Sequence, residues 1–176
     1  MNLKNVLIAI IAAGFLTACG GSAKVTKSFS DDAVATMKSH KMELRNVTVS
    51  ADEVPDHFVS AMKGHLKNEL KKRGLLAGNG NAQAAAIDMD VTYYRMRGGI
   101  TRMMFGILAG KDGVEADIKI LEHGTNNVLT TLTASSYNVM ALGGPDDVAQ
   151  MFAEEAAEAI EKNLATSSKK VATLKK

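Results

Sequence analysis

The sequence predicts an α+β fold: a two-layer sandwich in which two helices cover one face of a mainly antiparallel sheet of about four strands. Two observations lead to this prediction. Two segments repeat apolar residues at helical spacing, and several others alternate apolar and polar residues as half-buried strands do. Their order along the chain is strand, helix, three strands and helix (β-α-β-β-β-α). Placing both helices on one sheet face is the simplest way to bury both apolar stripes.

Each predicted helix starts at a proline and carries one apolar stripe. Pro55 and Pro145 both suit a first helical turn. The first stripe consists of Phe58, Met62, Leu66 and Leu70. The second consists of Val148, Phe152, Ala156, Ile160 and Leu164. Gly74 follows a basic last turn in the first helix, which is typical of a helix C-terminus.

The strands are predicted from alternation. The first begins near Met42, and its pattern slips near Asn46. In the second, one face is apolar and holds Ile87, Met89, Val91 and Tyr93. In the third, the apolar face holds Val114, Ala116, Ile118 and Ile120. A Gly- and Asn-rich turn at 124–127 then joins the third strand to a fourth over 128–139, as a hairpin.

A lipidation signal occupies the N-terminus. A short positive start is followed by an apolar run and by Leu16-Thr17-Ala18-Cys19, which looks like a bacterial lipobox around the only cysteine of the chain. The apolar run is shorter than the roughly 20 residues that a membrane-spanning helix needs. We therefore predict a signal peptide over 1–18, cleavage between Ala18 and Cys19, and acyl chains such as palmitate on Cys19.

The domain organisation follows from composition. Small and polar residues make 19–41 a predicted flexible tether, and residues 42–165 form the single folded domain. The Ser- and Lys-rich stretch 166–176 is predicted to be a frayed polar tail. The 21 Lys and Arg residues nearly balance the 19 Asp and Glu residues, so we expect no nucleic acid as a partner. We also expect no cofactor.

The segment 97–113 is unusual because it is apolar and punctuated by glycine where a connecting loop should be polar. Two readings stay open: it buries itself against the sheet or a helix, or it contacts a partner or lipid, as exposed apolar patches often do. Its candidate contact residues are Arg102, Met103, Met104, Phe105, Ile107 and Leu108. The glycine spacing does not match a phosphate-binding loop.

No catalytic motif stands out, and we predict that the protein is not an enzyme. The weak candidates for a divalent cation site are four carboxylates on the wet face of the second and third strands: Asp88, Asp90, Glu115 and Asp117. Arg95 and Lys119 can equally neutralise them across the strands. His57 and His65 are eight residues apart on one helix, which is not the spacing of a metal pair, so no metal site is predicted.

Several of these features together resemble a known family. They are an arginine-containing strand end, a glycine-punctuated segment that ends Ala109-Gly110-Lys111, an alternating strand, and a Gly/Asn turn before Val128-Leu129. The sequence over 44–164 is similar to bacterial lipoproteins of the domain of unknown function 4410. The resemblance implies a small α/β lipoprotein domain, similar in outline to accessory lipoproteins of envelope transport systems. It implies no established activity.

The sequence thus predicts a membrane-anchored envelope lipoprotein that acts as a non-enzymatic protein-binding or assembly module. Acyl chains on Cys19 bind the membrane, and an envelope protein is the expected partner. Gly20 after the cysteine favours the outer membrane, facing the periplasm. Two alternatives stay open: a lipid- or small-ligand-binding protein whose groove is gated by the glycine-rich segment, and a hydrolase that uses the carboxylates.

Overall fold

The computed structural model describes residues 19–30, 33–34, 40–78, 81, 83–97, 111–138 and 144–174. The strands are β1 (Cys19–Lys27), β2 (Met42–Val49), β3 (Ala85–Arg95), β4 (Asp112–Leu121) and β5 (Val128–Asn138). The helices are α1 (Asp56–Lys72) and α2 (Pro145–Leu174). The five strands form one sheet in the order β1-β5-β4-β3-β2. This confirms the α+β class.

Strand pairing is mixed. β2 and β3 pair in parallel, with α1 as the crossover between them, and the other three neighbouring pairs are antiparallel. The two helices pack against each other and against one face of the sheet, which leaves the other face open. We call these the covered face and the open face. The prediction of two helices on one side of a mainly antiparallel sheet is therefore confirmed.

The fifth strand is a correction to the sequence prediction, which made 19–41 a flexible tether. Residues 19–27 instead form β1, an edge strand paired with β5. On the covered face Ala23 and Val25 pack against the core. On the open face the Ser22 and Ser135 hydroxyls are 3.0 Å apart. The alternation of small and polar residues in this segment is real, but it has too little apolar bulk to be distinguished from a linker.

Two of the irregularities in the strand pairing bear on the sequence prediction. One falls between Leu44 and Asn46, where the sequence pattern slips, as predicted. The other falls between Val91 and Tyr93. It turns Tyr93 to the open face, where it is 37% exposed, and turns Tyr94 towards the core, 4.8 Å from the ring of Phe58. The prediction that Tyr93 continues the apolar face is therefore wrong.

The core lies between the helices and the covered face. Both predicted helix stripes are buried in it, and so are the predicted apolar faces of β3 up to Val91 and of β4. Helix α2 contributes mostly small side chains besides Phe152 and Ile160, and these allow close approach to the sheet. They are Ala149, Ala153, Ala156 and Ala157.

The C-terminal stretch is a second correction, because α2 continues to Leu174 instead of fraying from residue 166. Ser167 is buried, and its hydroxyl donates to the Phe29 carbonyl at 3.2 Å. Phe29 itself belongs to the core. The segment after β1 thus packs on the last turns of α2 and gives them a contact that a free tail would lack.

Candidate functional site

The candidate site is the end of the sheet at which β1 begins. Cys19 is opposite Asn138, which is in turn opposite Asp112. The next row across the sheet is Gly20, Tyr137, Gly113 and Arg95. The predicted lipidation site is therefore at the same end of the sheet as Arg97 and Asp112, which lie on either side of the glycine-rich segment.

Several predicted site residues lie outside the described residues. Ala18 is one of them. So are all six candidate contact residues of the glycine-rich segment: Arg102, Met103, Met104, Phe105, Ile107 and Leu108. The structure does describe Arg97 and Lys111, which flank residues 98–110.

A buried ion pair joins Arg97 and Asp112, which lie on either side of that segment. Asp112 Oδ1 accepts from Arg97 Nε at 2.8 Å and from the Arg97 backbone amide at 2.9 Å. The side chains are only 4% and 1% exposed. Because a buried charge is costly without its partner, this pair fixes residues 97 and 112 next to each other. Sequence reasoning missed it, and the only signal was an Arg and an Asp on either side of the glycine-rich segment.

The open face of this end carries an aromatic and basic cluster, Tyr93, Lys111 and Tyr137, which we call the tyrosine–lysine cluster. Lys111 Nζ is 5.4 Å from the centroid of the Tyr137 ring. The Tyr93 and Tyr137 rings are 6.3 Å apart, centroid to centroid. Gly113 makes room for the Tyr137 ring, because a Cβ atom there would lie 2.8 Å from Tyr137 Cε1.

Tyr137 is also held by its hydroxyl, which donates to Glu115 Oε2 at 3.2 Å. Burial raises the pKa of Tyr137, and the negative charge of Glu115 raises it further. The phenol therefore stays neutral and keeps donating through the physiological pH range.

The four candidate carboxylates lie on the open face as predicted, but each accepts hydrogen bonds from neighbouring strands. Arg45 donates to Asp88, Thr48 and Ser50 donate to Asp90, Thr133 donates to Asp117, and Tyr137 donates to Glu115. In the described part of the chain no group of three or more His, Cys, Asp or Glu residues is arranged to hold a metal ion. These hydrogen bonds give each of the four carboxylates a structural role on the open face of the sheet.

Asp88 shows how the charges are balanced. Arg45 Nη2 is 2.6 Å from Asp88 Oδ2, and Arg45 Nε is 3.0 Å from Oδ1. This two-pronged hydrogen bond lowers the pKa of Asp88 below the usual aspartate value. Lys119 is opposite Asp88 in the sheet, as the sequence suggested, and Arg45 forms an ion pair with Asp88.

The two histidines of α1 have different surroundings. His65 Nε2 is 2.9 Å from Asp146 Oδ1, which links α1 to the start of α2, and His57 is exposed on the first turn of α1. Arg73 and Glu161 form a second link between the helices at 2.6 Å. These two pairs connect α1 and the residue that follows it to α2.

Two concave regions lie away from the sheet end. A groove of about 360 Å³ between β1 and α2 has a floor that includes Ala23, Val25 and Ala159 and a rim with the ion pair of Lys162 and Glu158. A depression of about 370 Å³ on the open face is lined in part by Asp88, Asp90 and Asp117. Neither is lined by any described residue between 95 and 112.

Within the described residues, no helix combines the length and the apolar character needed to cross a membrane. A family model, the domain of unknown function 4410 (DUF4410), matches residues 25–174. This range is wider than the 44–164 over which the sequence motifs resemble that family. No curated protein matches the sequence.

Solved structures of similar fold include the PelC dodecamer from Paraburkholderia phytofirmans, which is 13% identical with a TM-score of 0.54 and covers 82% of this chain and 97% of that one. A point variant of the same dodecamer is 16% identical with a TM-score of 0.52 and the same coverage. A candidate lipoprotein from Caulobacter crescentus is 16% identical over 78% of this chain and 96% of that one, with a TM-score of 0.40. At these identities the two PelC structures show a common fold.

Proposed function

This chain belongs to the family of the domain of unknown function 4410, and we propose that it is a lipid-anchored protein of the bacterial cell envelope that works without catalysis, as a protein-binding or assembly module. Acyl chains on Cys19 hold it in the outer membrane, on the periplasmic side. The observation that carries the proposal is the position of Cys19, which ends the lipobox and begins β1.

Cys19 is both the proposed site of lipid attachment and the first residue of β1. In a lipoprotein, Cys19 would be the first residue of the mature chain, and it already pairs with Asn138 in the sheet. Two or more acyl chains are needed for a long-lived tether, because one chain alone binds a bilayer only weakly. Such a tether would hold this domain directly at the membrane.

Two features support the assembly role. The first is the open face of the sheet, which neither helix covers and whose side chains are largely polar. The second is a feature of the sequence: the stretch between Arg97 and Lys111 is rich in apolar residues, and its flanking residues lie at the same end of the sheet as Cys19. A protein of similar fold assembles as a dodecamer, which makes other copies of this chain one candidate partner.

The ligand-binding alternative depends on the groove between β1 and α2. Its lining combines Ala23, Val25 and Ala159 with polar and charged side chains such as Lys162, a mixture that suits a ligand with an acyl chain and a charged head. An Ala159→Phe change would fill the groove. If the groove binds lipid, this variant should lose the fatty acid that copurifies with the wild-type protein, as measured by mass spectrometry of extracted lipids.

Membrane fractionation tests the anchor. The wild-type protein should stay with membranes after carbonate washing, and Cys19→Ser should be released. Mass spectrometry of the wild-type protein should show Cys19 acylated at the N-terminus of the mature chain. A Cys19→Ser variant that remains with carbonate-washed membranes would contradict lipid anchoring.

Crosslinking and pull-down from membranes test the partner. Phe105→Asp places a charge in the apolar segment, so it should lose a copurifying protein that the wild type retains. Asn126→Asp is a matched control, because it adds the same charge at an exposed turn at the opposite end of the sheet. Retention of every copurifying protein by Phe105→Asp would exclude this segment as the partner contact.

A further inference from the structure

The tyrosine–lysine cluster has the chemistry of a membrane-interface contact. Tyr93 is 37% exposed, Lys111 is exposed, and Tyr137 is half-buried with its ring between Lys111 and Gly113. Tyrosine combines an apolar body with a polar tip, and it is enriched where a bilayer meets water. Lysine at the same level is attracted to anionic phosphate headgroups.

The cluster lies next to the predicted anchor. Gly20 is opposite Tyr137, so Cys19 directly precedes the row that carries the ring. Successive strands lie about 4.8 Å apart, which places Gly113 of β4 within about 10 Å of Gly20 across the sheet. A lipid attached to Cys19 therefore brings this end of the sheet close to the headgroups.

Two basic side chains lie at the Cys19 end of the sheet. Arg95 is exposed in the row that carries Tyr137, and Lys111 is exposed directly before β4. Further along the open face, Asp88, Asp90 and Asp117 are accompanied by Arg45 and Lys119, so that part of the face is nearly balanced in charge. The electrostatic attraction of an anionic bilayer for this face is therefore strongest beside the anchor.

We propose that this end of the sheet lies against the lipid bilayer, with Lys111 and Tyr137 among the headgroups and the strands standing away from the membrane. The inference rests on the proposed lipidation of Cys19 and adds an orientation to it. The open face, one of the two features that support the assembly role, is then held at a steep angle to the membrane within reach of other envelope proteins.

Site-directed spin labelling of the full-length lipidated protein tests this orientation. The protein is placed in vesicles of phosphatidylethanolamine and phosphatidylglycerol, and a nitroxide is attached through Lys111→Cys or, as a matched control, Asn126→Cys. Both residues are exposed, and Asn126 is at the opposite end of the sheet. Because acylation occupies Cys19, the introduced cysteine carries the only thiol.

We expect the label at 111 to gain accessibility to membrane-dissolved oxygen and to lose accessibility to a water-soluble nickel chelate, relative to the label at 126. Equal accessibility at the two positions, in protein shown by mass to be acylated, would overturn the orientation and leave the anchor intact. If the protein carries no acyl chains, both the orientation and the anchor fail.

A spacer variant separates orientation from mere proximity. Eight Gly and Ser residues, beginning with Gly, are inserted between Cys19 and Gly20, which gives the domain about 16 Å of flexible reach. In this variant the nitroxide is attached through Gly20→Cys, which leaves Lys111 and Tyr137 in place and puts the new side chain at an exposed position with open space around its Cβ atom. If the cluster itself binds headgroups, the label at 20 should keep a preference for oxygen over the label at 126. If the spacer abolishes that preference, the cluster has no affinity for headgroups, and the part of the proposal that concerns Lys111 and Tyr137 is overturned.

Discussion

The covered and open faces of the same sheet are stabilised in different ways. The covered face is almost entirely apolar, and its side chains lie in the core. The open face is held by cross-strand hydrogen bonds, such as those from Thr133 to Asp117 and from Tyr137 to Glu115. The difference indicates that most of the folding free energy comes from burial of the covered face. The residues of the open face contribute less to stability, so they are freer to bind a partner.

The largest expected effect is on the covered face. Phe152→Ala removes a ring that is fully buried in α2, so it should lower the free energy of unfolding by about 3–5 kcal/mol. Thr133→Ala on the open face is the control and should cost about 1 kcal/mol. Urea unfolding followed by circular dichroism measures both changes. Equal losses would show that the two faces do not differ as we describe.

The ion pair of Arg97 and Asp112 at the Cys19 end is a charged exception on the buried side. Asp112→Asn removes the charge that compensates Arg97, so we expect a loss of about 3 kcal/mol in unfolding free energy. The double variant Arg97→Met with Asp112→Leu should recover most of this loss, because no uncompensated charge remains. Calorimetric melting of the three proteins measures the recovery, and a double variant less stable than Asp112→Asn would contradict this explanation.

The close approach at Gly113 should give an intermediate effect. Gly113→Ala places a Cβ atom 2.9 Å from the Ser136 carbonyl oxygen and against the Tyr137 ring, so a loss of about 1–3 kcal/mol is expected. Tyr137→Ala removes the ring and should make the two changes less than additive in a double-mutant cycle. Strict additivity would mean that the ring does not contact the new methyl group.

The smallest effect is expected at the edge of the open face. Asp88→Asn removes the partner of Arg45, and because both side chains are partly in water the loss should be about 1 kcal/mol or less. The folded state lowers the pKa of Asp88, so its contribution is complete above the pKa of an unfolded aspartate, near 4, and is lost as the pH falls through the lower folded value. Unfolding at pH 7 and at pH 2 should show a difference between wild type and variant only at the higher pH.

The sequence predicted the parts of this fold whose signal is apolar periodicity. The stripe of α1, the alternation of β4 and the slip in β2 were all found where the pattern placed them. β1 was missed because its covered face is made of small residues such as Ala23, which carry little hydrophobic signal, and its partner is more than a hundred residues away. Tyr93 was misplaced because a bulge shifts the alternation by one residue.

The candidate site was harder to predict. The sequence analysis identified Cys19 and the glycine-rich segment separately. Only the strand register shows that Cys19 and Asp112, which follows that segment, lie at one end of the sheet. The four carboxylates were correctly placed on one face. Their hydrogen-bond partners could not be foreseen, because Arg45, Thr48 and Thr133 come from strands whose register the sequence does not specify.

Strand β1 also has a consequence for the order of folding. Among the described strands it is the first in the sequence, yet it pairs with β5, the last of them, so that Ser22 and Ser135 meet across 113 positions of the chain. Closing so long a loop is slow relative to local pairing, and we expect β2, α1, β3, β4 and β5 to assemble first. In the lipoprotein that we propose, the N-terminal segment would then stay accessible for signal cleavage and acylation until its docking onto β5 completes the domain.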